Sequence, residues 1–113
     1  MNDSETIYDF SSRTLLCLKK RPKMFFKGEL TFTAVETYIN GYLLGLECCL
    51  GITVFQRLHV WFQEKIKQEN NVLGFTTHVD YYYKERSEED RISILIDLVD
   101  EFLKGVLVTK SIE

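Results

Sequence analysis

The sequence predicts an all-α fold, a compact single-domain bundle of about four to five helices. Three observations predict it. Apolar residues recur at three- and four-residue steps along most of the chain, Ser/Thr capping signals stand ahead of those runs, and the single proline, Pro22, falls between runs rather than within one. The 113 residues are enough to bury about two-thirds of the unfolded surface in one core. A content of 45% hydrophobic and 27% charged residues lies well away from the disordered regime. No repeat, low-complexity tract or Gly/Ser/Pro linker marks a domain boundary, so residues 1–113 are expected to form one helical domain.

Taken in order, a first helix is expected from Asp3 or Ser4 to about Leu18, with Ile7, Phe10, Thr14 and Cys17/Leu18 on its apolar face. Pro22 ends it by forcing Arg21 out of helical backbone angles. After a loop at residues 22–28, Thr33-Ala34-Val35-Glu36 reads as a capping box opening a second helix. Its face is Val35, Ile39, Tyr42, Leu43, Leu46 and Leu50. Gly41 and Gly45 are either a stripe that lets another helix backbone approach or two tolerated glycines. Gly51 closes this helix, and Thr53-Val54-Phe55-Gln56 reads as a second box opening a third over residues 54–68, buried through Val54/Phe55, Leu58, Trp61/Phe62 and Lys65/Ile66.

Residues 70–74 read as loop. Phe75, Val79 and Tyr82/Tyr83 then keep helical steps, although the neighbouring Thr pair and Tyr run have the residue types of a strand. The reading adopted is helix. The last helix has Ser87 as N-cap, Glu88, Glu89 and Asp90 at the positive end of the dipole, and Gly105 at the expected C-terminal cap. Its apolar stripe is Ile92, Leu95, Ile96, Val99, Phe102 and Leu103, opposite Asp97, Asp100, Glu101 and Lys104. The tail Val106-Leu107-Val108-Thr109 fits a short edge strand or a docked coil.

Charge is distributed more unevenly than the net value of −3 suggests. Residues 19–27 hold five bases (Lys19, Lys20, Arg21, Lys23, Lys27) and no acid, whereas residues 85–101 hold seven acids against two bases. The acidic start, with no basic segment leading into an apolar one, is not a secretory signal. The longest apolar-rich stretch, residues 42–55, is interrupted by Gly45, Glu47, Gly51 and Thr53 and is too short to span a bilayer. A cytoplasmic protein with no membrane partner is expected. Cys17, Cys48 and Cys49 make neither an even disulfide framework nor a CxxC knuckle, and are expected to be buried, reduced thiols.

The residues offer no catalytic constellation, so no enzyme and no cofactor are expected. His59 and His78 lack metal-ligand spacing. His59 on an aromatic helix reads as structural. His78, Asp80 and the adjacent tyrosines are the one seed of acid–base chemistry, set against packing of alternate tyrosines with their hydroxyls in water. Lys19 to Lys27 with Phe25 and Phe26 has the composition of a nucleic-acid contact, but lysines also complement a helix C-terminus, and direct nucleic-acid binding is not expected. A small nucleic-acid-binding regulator or an enzyme using His78/Asp80 or that basic loop is the alternative reading.

Several short phrases act together: Arg21-Pro22-Lys23-Met24-Phe25, Tyr38-Ile39-Asn40-Gly41-Tyr42, Leu58-His59-Val60-Trp61-Phe62 after Phe55, Gly74-Phe75, and Ser87-Glu88-Glu89-Asp90 leading to Leu98-Val99-Asp100-Glu101-Phe102. With these the chain resembles bacterial toxin-immunity proteins, in particular those of contact-dependent growth inhibition, over about residues 15–104. The Arg-Pro-x-Met-aromatic phrase is also similar to one in gyrase-type ATPases, but the glycine-rich nucleotide lid of those enzymes has no counterpart here. The immunity resemblance implies a protein that binds one cognate toxin domain, commonly a nuclease with a basic substrate surface, and masks its active site or its substrate approach. Carboxylates can pair with the Lys/Arg that grip phosphate while tyrosines supply anchors. The expected contact set is Tyr81, Tyr82, Tyr83, Glu85, Glu88, Glu89, Asp97, Asp100 and Glu101.

Overall fold

A computed structural model describes residues 3–68 and 74–108. The expected loop at residues 70–73 and Thr109 of the tail lie outside the described residues. The protein is all-α. Five α-helices, α1 (Asp3–Lys20), α2 (Phe32–Leu50), α3 (Val54–Ile66), α4 (Phe75–Tyr82) and α5 (Glu88–Leu107), and a 3-10 turn at Pro22–Met24 account for its regular structure, with no strand among the described residues. No single helix there is long and apolar enough to cross a membrane; α2 and α3 reach that hydropathy only together, bent by 117°.

The chain divides into two compact units. One contains the described parts of Met1–Leu30 and Ile92–Glu113, the other Thr31–Arg91. The opening turn of α5 therefore belongs to the second unit and the rest of that helix to the first.

In the first unit, α1 stops where Pro22 requires. Arg21 leaves helical angles (φ −134°, ψ 60°) while its N–H still donates to the Cys17 carbonyl at 2.7 Å. The buried face of α1 is Ser11, Leu15 and Leu18; of the expected face Leu18 is buried, but Phe10 is 65% exposed and Cys17 faces outward. A buried serine interrupts the apolar stripe, which made the neighbouring phase look more continuous. Helix α5 buries Ile92, Leu95, Ile96, Leu98, Val99, Phe102, Leu103 and Leu107. Its N-cap is Ser87, whose Oγ accepts from the Asp90 N–H at 3.1 Å. Gly105 does not cap it: the helix continues through Gly105 and Val106 to Leu107, so those tail residues are neither strand nor coil. A glycine costs a helix only about 1 kcal/mol against alanine, less than burying Leu107 returns.

The second unit shows how these helices begin. Thr31, not Thr33, caps α2, accepting from the Ala34 N–H at 3.1 Å. The Phe32 N–H, left over at that end, donates to Glu88 Oε2 at 2.9 Å. Starting two residues early lets Phe32 be buried. Thr53 precedes α3 but makes no side-chain cap; Glu47 Oε1 of α2 accepts from the Phe55 N–H at 3.1 Å instead. The expected capping boxes are thus replaced by Thr31 with Glu88 at α2 and by Glu47 at α3, which satisfy other orphaned amides of the same helix ends. Gly51 ends α2 in the left-handed region (φ 68°), its N–H donating to the Glu47 carbonyl. The buried faces are Phe32, Val35, Ile39, Leu43 and Leu46 on α2, and Val54, Leu58 and Phe62 on α3. Residues 75–82 are helix, as expected.

Gly41 and Gly45 are exposed, and a Cβ on either would meet nothing within 4 Å. They do not serve a close helix approach within the chain. Gly41→Ala and Gly45→Ala are each expected to raise stability by about 0.5–1 kcal/mol, measured as an upward shift of the urea midpoint at unchanged slope. All three cysteines are free, as expected, but exposed rather than buried. On α2 the buried phase Val35, Ile39, Leu43, Leu46 turns Cys48 and Cys49 outward.

Candidate partner-binding surface

The expected contact residues fall in both units, and the structure gives them unequal roles. In the second unit the three tyrosines divide. Tyr81 is 59% exposed, with the Lys84 ammonium 4.5 Å from its ring centre. Tyr82 sits edge-on to Phe62 at 6.1 Å and to Tyr83 at 4.9 Å, half-committed to the packing. Tyr83 is partly buried and follows the end of α4, its N–H donating to the Val79 carbonyl at 3.1 Å. Burial, then the neighbouring Tyr82, raises its phenol pKa, opposed by Lys65 and Arg86. Successive helical residues lie about 100° apart, so the three rings cannot share one face. Tyr81 is the most exposed of the three.

Glu85, Glu88 and Glu89 are exposed and follow within one turn and the start of α5. Glu88 is already used, holding the Phe32 N–H. Residues 81–90 contain four acids and two bases, a local excess of negative charge beside an exposed aromatic ring.

The segment is held by Arg91, which the sequence reading did not single out. Its Nη1 pairs with Asp80 of α4, its Nε donates to the Arg86 carbonyl at 3.2 Å, and its guanidinium lies 5.8 Å from the Phe32 ring. One planar group with five donors thus ties α4, the turn after it and the start of α2. Nothing in the local pattern marks Arg91, because its side-chain partners Asp80 and Phe32 lie 11 and 59 residues away by the sequence numbering.

In the first unit, Asp97 and Asp100 are engaged within the chain. Lys19 Nζ donates to both Asp97 oxygens at 2.8 and 3.0 Å, and Tyr8 Oη donates to Asp100 Oδ1 at 3.1 Å. The Tyr8 phenol pKa is raised, mainly by burial and further by Asp100, against a hydrogen bond from Ser12 that lowers it. The basic segment and the acidic helix therefore neutralise each other in part. The Lys19–Asp97 pair is exposed and worth under about 1 kcal/mol, but it removes one carboxylate from those open to a partner. Glu101 is exposed.

His78 and Asp80 are not brought together. Two residues apart on α4, they point to opposite sides: Asp80 goes to Arg91, and His78 is 3% exposed with Nδ1 lacking a hydrogen-bond partner. No group of three or more His, Cys, Asp or Glu side chains among the described residues is arranged to hold a metal ion.

Comparison with family models, with characterised proteins and with solved structures yields no match.

Proposed function

We propose that this chain is an immunity protein that binds a cognate bacterial toxin domain, a nuclease with a basic substrate surface, and neutralises it by masking its active site or substrate approach in the cytoplasm of the producing cell. The observation that carries the reading is the exposed ring of Tyr81 followed by exposed Glu85 and Glu89. An aromatic anchor with carboxylates around it matches a surface built to hold phosphate: the ring supplies area at small entropic cost, and the carboxylates meet the Lys/Arg side chains that would grip nucleic acid. The same charges steer encounter and make association fall with salt. The resemblance of the sequence to immunity proteins supports the same reading.

Engagement of Glu88, Asp97 and Asp100 within the chain narrows the contact set to the second unit, with Tyr81, Glu85 and Glu89 at its centre and Tyr82 at its margin. The test is to find whether an adjacent reading frame encodes a toxin-like domain and to co-express that domain with this chain. Growth is expected to be restored by this chain and not by an unrelated helical protein of equal charge. Growth arrest unchanged by its presence overturns the proposal.

A further inference from the structure

Helix α4 is eight residues long, too short to persist alone in water, and it is held by burying Phe75, Thr76, His78 and Val79. Of these only His78 titrates near neutrality. Its ring lies edge-on to Phe62 at 5.1 Å and 6.5 Å from the ring of His59 on α3. Nδ1 is the one buried side-chain nitrogen or oxygen without a hydrogen-bond partner among the described residues. We propose that His78 is an acid-sensitive latch: α4 stays docked while this imidazole is neutral and releases when it takes up a proton.

Among the described residues, the influences on the imidazole disfavour its charged form. From α3 the facing titratable group is His59, its ring 6.5 Å away. From α2, the uncharged Asn40 donates to Thr76 of α4 at 3.5 Å. On α4, Asp80 points away to Arg91 of α5, and the Tyr82 ring is set against Phe62. A protonated ring there has a desolvated charge and an N–H at Nδ1 with no partner among the described residues. Burial, then repulsion from His59, accordingly lowers the His78 pKa from its ordinary value.

The sign follows from linkage. The released helix has the ordinary imidazole pKa of about 6.5, and the docked one a lower value, so release takes up a proton. The docked state is fully favoured above about pH 6.5 and is progressively lost as pH falls from there toward the depressed value. Because α4 carries Tyr81, acid would also withdraw that anchor; only this consequence rests on the proposed toxin-binding reading.

The test is amide hydrogen exchange of the full chain between pH 7.5 and 5.0, read at the His78 and Tyr83 amides, which donate to Gly74 and Val79. Protection there is expected to fall relative to α2 amides, approaching about tenfold per pH unit below pH 6.5. In His78→Phe, an apolar ring among the same neighbours, it should stay level. Loss of α4 protection parallel to α2, or an equal loss in His78→Phe, overturns the proposal. Should His78→Phe fail to fold, the wild-type imidazole carbon shifts decide. Titration of His78 at its ordinary pKa with α4 still protected contradicts the latch; titration only as α4 protection disappears supports it.

Discussion

Phe62→Ala is expected to destabilise the second unit by about 3–5 kcal/mol, the cost of truncating a fully buried aromatic side chain. Phe62 has no exposed surface, and its ring meets Phe75 at 5.5 Å, His78 at 5.1 Å and Tyr82 at 6.1 Å, each edge-on. Aromatic pairs of this geometry are worth about 0.5–1.5 kcal/mol each beyond the area they bury. These three rings belong to α4, so one residue of α3 holds much of that helix. Urea unfolding followed through Trp61, on the same helix as Phe62, gives the number. Against a total stability of about 5–15 kcal/mol, the expected loss puts much of the population close to unfolding, and a loss under about 1 kcal/mol would contradict the packing described.

The second large effect concerns the surface. Tyr81→Ala with Glu85→Lys and Glu89→Lys should weaken binding to the cognate toxin domain by about a thousandfold or more, because it removes an aromatic anchor and places like charge against a basic surface. The fold should tolerate these changes. Tyr81 stands largely in solvent and the two glutamates are exposed, so each substitution is expected to shift stability by no more than about 0.5 kcal/mol. Asp97 and Asp100 are poorer probes, since reversing them also breaks the bonds to Lys19 and Tyr8 and mixes folding with binding. An affinity for the toxin domain unaltered by the triple substitution would move the interface off this edge.

What could be read from the sequence was the helical character and the principal buried stripes. Val35, Ile39, Leu43 and Leu46 on α2, Leu58 and Phe62 on α3, and Leu95, Val99, Phe102 and Leu103 on α5 are buried as their spacing requires. Periodicity found only part of the buried face of α1, because Ser11 is buried there and no apolar count finds a serine. It failed again at the ends of helices. Capping boxes are local motifs, whereas Glu88 reaches the start of α2 across 56 residues and Glu47 reaches α3 across eight. Gly105 illustrates the converse, a stop signal overridden because Leu107 beyond it is buried.

The candidate surface was legible in composition and not in detail. A run of three tyrosines cannot tell which ring faces out; that depends on Phe62 drawing Tyr82 inward. Counting acids over residues 85–101 overstated the charge open to a partner, because Lys19, Tyr8 and the Phe32 amide answer three of those carboxylates. Partners so distant in sequence leave no trace in local pattern. Exposed Glu85 and Glu89 beside Tyr81 remain the part of that acidic run best placed to meet another molecule.

Calorimetric titration of the purified toxin domain from the adjacent reading frame with the full chain, followed by assay of the toxin's nuclease activity, tests the central claim most directly. A saturable 1:1 complex with a dissociation constant of about nanomolar order, about −12 kcal/mol, is expected, weakening as salt rises and abolishing nucleic-acid cleavage at stoichiometric addition. No measurable heat at micromolar concentrations, together with undiminished cleavage, would contradict it.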